Sequence, residues 1–288
     1  MSAGSSVLFD LPGPKARARY RTFSIAGIAV GVAILLGFLW LMYDNGQLAY
    51  DQWEPFVTPR FMIALAKGTW ATIYSAVIAI LLAGLMGVSL GLGKLSDHVW
   101  IRWPSWVIVE FFRAVPVLVL IIFIFVTYGL GAGGIGAFWS LVAGLALYNG
   151  AVIAEILRAG VEAVPRGQSE AAYAMGMRKG LVMRQVLLPQ AVTTMLPALI
   201  SQFVVALKDT SLGYVITAAS VTYTGRQIFN QFSNQLPTAI VLAIIYILLN
   251  IVLAKLLTAA QQRFVGKRQD ADAQAEGEKE EQVANAGA

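Results

Sequence analysis

Chemistry needs side chains that exchange protons, attack, or hold a ligand, and this sequence supplies few. It has no cysteine, which excludes disulfides and thiolate chemistry. Its one histidine, His98, stands in a short polar stretch. A histidine-based metal site or triad is therefore excluded, and His98 reads as a solvated loop residue. What remains is a sparse set of polar residues inside long apolar runs: Glu110 and Arg113, Asn149, Glu155, and Lys208-Asp209-Thr210-Ser211. Charge within an apolar span usually faces protein or water rather than lipid. Arg113 has a second reading, snorkelling to the inner headgroups. Lys208 and Asp209 are adjacent, so on a helix they point about 100° apart and cannot pair side by side. Each needs its own partner or an aqueous cavity.

A second stretch, Val164 to Ala191 (VPRGQSEAAYAMGMRKGLVMRQVLLPQA), is polar and basic between apolar runs. Pro165 and Gly167 are turn residues. Ser169 is placed to cap a helix, with Glu170 in its first turn, where negative charge suits the helix dipole. Ala171, Ala172 and Ala174 favour helix, and Gly176 is a natural stop. A second short amphipathic piece follows, from Met177 to Leu188, and Pro189 breaks it. The result is a short helix, a glycine turn and a second helix, with side chains small enough for another surface to approach closely. An interfacial loop held to headgroups by its arginines would share this polarity.

The elements that must hold these residues are long and apolar. The chain has 288 residues, 58% hydrophobic and 13% charged, a balance no single soluble core can hide. Several runs reach the roughly 20 residues a bilayer-spanning helix needs. The fold class is an all-α integral membrane protein with about six transmembrane helices. The expected spans are Ile25–Tyr43, Phe61–Gly93, Val107–Leu130, Phe138–Leu157, Leu196–Ala218 and Leu236–Leu257. The first is long for a signal-peptide core, with no clear cleavage site after it. Its Gly27 and Gly31 have GxxxG spacing, either a packing face or chance. Gly84, Gly87 and Gly91 line one side of the second span and should permit close helix contact. Trp100, Trp103 and Trp106, in the loop Lys94–Trp106, read as an interface belt.

The stretch 1–24 is expected as an irregular basic arm, 25–60 as an extra transmembrane helix and external loop, and 61–264 as the main membrane domain. Val221–Gln235 is a short external helix or loop. The tail 265–288, rich in Ala, Glu, Gln and Lys, is expected to be disordered.

Charge orients the chain. Six spans put both ends on one side. That side holds Lys15, Arg17, Arg19, Arg21, Lys94, Arg102, Arg158, Arg166, Arg178, Lys179, Arg184, Arg263, Lys267, Arg268 and Lys279; the other holds Arg60 and Arg226. Positive charge stays in the cytoplasm, so both termini and the Val164 loop are expected there. The net charge of +5 is no nucleic-acid signal, because the basic residues cluster beside apolar spans.

Glu170, Ala171, Ala172, Gly176, Leu188 and Pro189 together resemble the EAA loop of ABC importer permeases. Other stretches resemble the polar amino-acid (histidine/glutamate-type) subgroup: Lys67 to Thr72, Glu110 to Pro116, Tyr148 to Ala151, Ala154-Glu155, Arg158 to Gly160, and Leu207 to Leu212. Ala114 and Val115 depart from the Gly-Thr usual in the second of these. The resemblance covers roughly 61–264. It implies a five-helix type I importer core, to which the first helix is an addition. Acidic-amino-acid systems sometimes carry such an extension, which points to glutamate or aspartate in a bacterial inner membrane.

The resemblance also implies a coupling helix docked on a separate cytoplasmic ATPase dimer, with Gly167, Glu170, Ala171, Ala172, Gly176, Arg178, Lys179 and Pro189 as the coupling residues. A second permease subunit, the same chain or a related one, and an external substrate-binding protein complete the assembly. Asn149, Glu155, Lys208, Asp209, Thr210, Ser211 and Arg113 are then candidates for the substrate pathway, with Lys208 and Asp209 open to a structural role between helices. The chain has no P-loop of its own. Gly91-Leu92-Gly93-Lys94-Leu95 lacks both the spacing and the Ser or Thr after lysine. No cofactor is expected in this chain; ATP and Mg belong to the partner ATPase. The alternatives are an ion-gradient-driven secondary transporter or channel, for which no clear internal repeat speaks, and a membrane enzyme, for which the catalytic parts are missing.

Overall fold

Helices make up the regular structure of the computed structural model, which describes residues 14–286, with side chains described for 19–263. Among the described residues, five helices are long and apolar enough to cross a membrane, or six if one sharply bent pair counts as a span. The chain divides into two compact units, one up to Pro55 and one from Phe56 on.

In the first unit, α1 runs Pro14–Asp44. The expected arm is thus helical from Pro14; residues 1–13, and the side chains of Lys15 and Arg17, lie outside the described residues. Pro14 opens the helix, a position that suits proline, and the alanines and arginines after it are good helix formers. After a turn, α2 (Tyr50–Val57) occupies what sequence suggested was loop. The Trp53 indole donates to the Gln47 carbonyl at 2.8 Å across the turn.

The second unit is built on α3 (Pro59–Lys94) and α6 (Gly136–Glu162). Gly87 and Gly91 let these two helices meet. A Cβ at Gly87 would lie 2.5 Å from the Ile153 Cγ2 and 3.0 Å from the Gly150 carbonyl oxygen, and one at Gly91 would lie 2.8 Å from Leu157. Gly84 faces open space and takes no part; the buried row on α3 runs four residues apart, through Ala79, Ala83, Gly87 and Gly91. Ile121, Leu141, Val142 and Leu145 form an apolar cluster with Ala79, Ile216 and Ala218.

The expected third span is two helices, α4 (Val99–Ala114) and α5 (Val117–Ile124), the latter extended by a π-type turn, Phe125–Gly129. They are bent by 99°. A residue before proline is driven out of the helical region, and Val115, before Pro116, is extended at φ −80, ψ 127. The three tryptophans all sit on α4, not in a loop. Trp100 is 90% exposed.

Beyond the polar stretch, α9 (Leu188–Asp209) ends in a 3₁₀ segment, Thr210–Ile216. The Lys208 cluster thus lies at a helix end rather than mid-helix. Ser220 caps α10 (Val221–Phe232) by accepting from the Tyr223 amide at 3.1 Å. The buried Thr72 hydroxyl accepts from the Val221 amide at 3.0 Å, tying α10 to α3. The last helix, α11, runs Gln235–Ala286. It continues through the expected disordered tail, whose Ala, Glu, Gln and Lys are strong helix formers even without a core. Residues 287–288 lie outside the described ones.

Candidate functional site

The polar stretch folds into α7 (Arg166–Ala174) and α8 (Lys179–Val182), joined to α9 by a π-type turn, Met183–Leu187. The helix, turn, helix pattern is there, with two corrections. Pro165, not Ser169, holds the cap position; the Ser169 hydroxyl donates to the Arg166 carbonyl at 2.8 Å, inside the first turn. Pro189 opens α9, where its missing amide costs nothing, and the break before it falls at Met183–Leu187.

Gly176 ends α7 through a left-handed turn, φ +78. The Gly176 amide donates to Tyr173 at 2.9 Å and the Met177 amide to Ala172 at 3.2 Å, the paired bonds of a Schellman motif. Gly167 and Gly180 are different. They have no positive φ, and a Cβ on either would meet nothing within 4 Å. Nothing inside this chain demands glycine at those two positions.

The element presents apolar surface outward. Met175 is 79% exposed, with Tyr173 and Leu181 also exposed, while Ala172 and Val182 are buried. Glu170, Ala171, Gly176 and Arg178 are exposed as well. Lys179 turns back and pairs with Asp97 in the α3–α4 turn. Its hydrogen bond holds the Asp97 carboxyl below the usual carboxylate range, more than desolvation raises it.

The substrate-pathway candidates fall into three groups. Glu110, Arg113 and Glu155 join a cluster at the end of α3. The Lys94 ammonium lies 2.7 Å from Glu155 and 3.3 Å from Glu110. Arg113 is 3.3 Å from Glu110, and Arg158 pairs with Glu155 at 2.5 Å and with Glu162. Beside the cluster is a cleft of about 420 Å³, which Arg102, Trp103 and Trp106 also line. Asn149 is buried and links two helices, donating to the Leu145 carbonyl at 2.8 Å and accepting from Gln202 at 2.6 Å. Thr210 is buried and donates to Leu207 at 2.7 Å. Lys208 is exposed, and Asp209 and Ser211 are half-buried. No ion pair of Lys208 or Asp209 occurs among the described residues, and the two do not pair with each other.

Sequence reasoning missed Lys94 and Gln202. Lys94 read as a loop charge because hydropathy ends there, yet its side chain is only 4% exposed. The available signal was one charge at an end of each of three apolar runs: Lys94, Glu110 and Glu155.

Residues 79–266 match the family of binding-protein-dependent transport system inner membrane components. The chain is 44% identical over 227 residues to the glutamate transport system permease protein GluD of Corynebacterium glutamicum, covering 77% of this chain and 83% of that one. It is 32% identical over 215 residues to the octopine transport system permease protein OccM of Rhizobium meliloti, covering 71% and 84%. A crystal structure of an amino acid ABC transporter with histidines superposes with a TM-score of 0.65 at 32% identity, covering 71% of this chain and 95% of that one. An inward facing MetNI methionine ABC transporter gives 0.58 at 20% identity, covering 73% and 99%, a likeness of fold. The chain belongs to this inner membrane component family: it is a multi-pass permease subunit of an ABC importer, not itself an enzyme, working with a separate ATPase and a substrate-binding protein.

Proposed function

We propose that this permease imports an acidic amino acid, glutamate or aspartate, across a bacterial inner membrane, with both termini in the cytoplasm. The observation that carries the substrate is the 44% identity to a glutamate permease along most of both chains. The glutamate/aspartate import permease protein GltK of Escherichia coli, 29% identical across 92% of its length, supports it. The bias of Lys and Arg toward the loops on the N-terminal side supports the orientation.

In this reading α7 and α8 are the docking element for a cytoplasmic ATPase dimer, through the exposed Gly167, Glu170, Ala171, Gly176 and Arg178, with the buried Ala172 packing beneath them. ATP and Mg bind to that partner. Lys179 acts from behind, holding the element to the α3–α4 turn, and Pro189 starts the helix that leads away from it. A second permease subunit, this chain again or a related one, completes the pathway within the lipid. Of the pathway candidates, Lys208, Asp209 and Ser211 are left for the substrate, since Asn149, Glu155, Thr210 and Arg113 already bond within the chain. A polar group in an apolar span is costly unless something satisfies it, and a zwitterion with one extra carboxylate does so.

The test is uptake of labelled glutamate by membranes holding the chain with its ATPase and binding protein, against a panel of unlabelled competitors. Competition by glutamate and aspartate alone is expected. Equal competition by basic or neutral amino acids refutes the substrate.

A further inference from the structure

The charged cluster at the end of α3 has a lopsided wiring. Arg113 pairs with Glu110 within α4, and Arg158 pairs with Glu155 and Glu162 within α6. These pairs sit three or four residues apart on one helix and hold no two helices together. The ion pairs that pass between helices both run through Lys94: α3 to α4 at Glu110, and α3 to α6 at Glu155. Three acids and three bases balance, and the ammonium that joins them is the buried one.

Lys94 is also close in sequence to the other long-range pair. Asp97, three residues on, holds Lys179 of α8, and the Lys179 ammonium reaches the Leu95 carbonyl at 3.5 Å. The link between is a tight turn. The Leu95 amide bonds to Leu92 at 3.1 Å and the Ser96 amide to Gly93 at 3.2 Å. Ser105 of α4 presses against Gly93, leaving no room for a Cβ. A short braced segment thus joins the polar element to the inner ends of three helices.

We infer that Lys94 is a positioning residue for transport: it transmits displacement of α7 and α8, received through Lys179 and Asp97, to α4 and α6. Without the ammonium, Glu110 falls back on Arg113 and Glu155 on Arg158, each within its own helix. The helices keep their local pairs and lose their common hub. Folding survives while the transmission fails. A brace for stability alone would behave otherwise, because its loss would reduce folded protein and every activity together.

The inference rests on the importer reading, and the experiment separates the two. The chain is reconstituted with its ATPase and binding protein in vesicles, and glutamate imported per ATP hydrolysed is measured for the native protein, Lys94→Met, Lys94→Arg and Glu110→Gln. If the native assembly imports nothing with ATP, the importer reading fails. If it imports, Lys94→Met is expected to keep hydrolysing ATP while import per ATP falls roughly tenfold, within the range of coupling factors between sites. Lys94→Arg restores most of the ratio. Glu110→Gln, which cuts the α3–α4 link and the Arg113 pair within α4 but leaves Lys94 on Glu155, gives a smaller fall. A native ratio in Lys94→Met overturns the inference. So does a loss of import and hydrolysis in step with a loss of folded complex.

Discussion

Two glycines in one short element are expected to respond differently to substitution, and the difference separates folding from docking. Gly176 sits at φ +78 with open space around it. Alanine there clashes with nothing but its own backbone, so its cost is the left-handed conformation, roughly 1–2 kcal/mol. At about 1.4 kcal/mol per factor of ten, that depopulates the capped form of α7 by up to about thirtyfold. The ATPase is then expected to bind more weakly by up to that same factor, since apparent affinity follows the fraction in the competent form.

Gly167 carries neither constraint: no positive φ and nothing within 4 Å. Alanine there is expected to leave the melting temperature unchanged or slightly raised, because glycine within a helix is worth roughly 0.5–1 kcal/mol less than alanine. A bulky Gly167→Phe still fits the free chain but fills the space a partner needs. It is expected to abolish ATPase binding without destabilising the permease. The assay is a titration of purified ATPase onto the chain in detergent, with a circular-dichroism melt alongside. Undiminished affinity in Gly167→Phe refutes the docking surface, whatever Gly176→Ala does.

Other expectations follow from the packing and the charges. Gly87→Leu drives a side chain into Ile153 and the Gly150 carbonyl; overpacking of roughly 1–3 kcal/mol should lower the detergent melting temperature, whereas Gly84→Leu should not. The Asp97 carboxyl titrates below its ordinary value of 3.8 because of Lys179. A depressed acid contributes stability above its unfolded value and loses it as pH falls through the folded one. Protection of the amides of residues 178–180, their exchange rate relative to the intrinsic rate at each pH, is therefore expected to be level from neutrality down to the ordinary carboxylate range and to fall only below it; in Asp97→Asn it should be lower already at neutral pH. With no native cysteine, Met175→Cys on the exposed tip should react with an impermeant maleimide only from the cytoplasmic side, and labelling from outside would reverse the orientation.

The membrane spans were legible where hydropathy changes abruptly. The second was expected at Phe61–Gly93 and is Pro59–Lys94; the fourth was expected at Phe138–Leu157 and is Gly136–Glu162. The third was not, because Val107 to Leu130 reads as one apolar run and only Pro116 marks the 99° bend. In the polar stretch, Gly176 was legible because a left-handed stop has a residue type of its own. Ser169 was misread, since Ser is equally at home at a cap and inside a first turn, and Pro165 held the cap. Lys94 was invisible for a different reason. Its burial is made by α4 folding back across the end of α3 and by Glu155, 61 residues away, and no local pattern records such an encounter.

The π-type turn at Met183–Leu187 gives the junction a property ordinary helix lacks. Such a turn carries one surplus residue in its ladder. That surplus can be handed along the chain one hydrogen bond at a time, so the helix beyond can advance or retreat by about 1.5 Å, the rise of one residue, without unravelling. Slack of this size between α8 and α9 lets the two sides of the junction shift by different amounts while the chain between them stays wound.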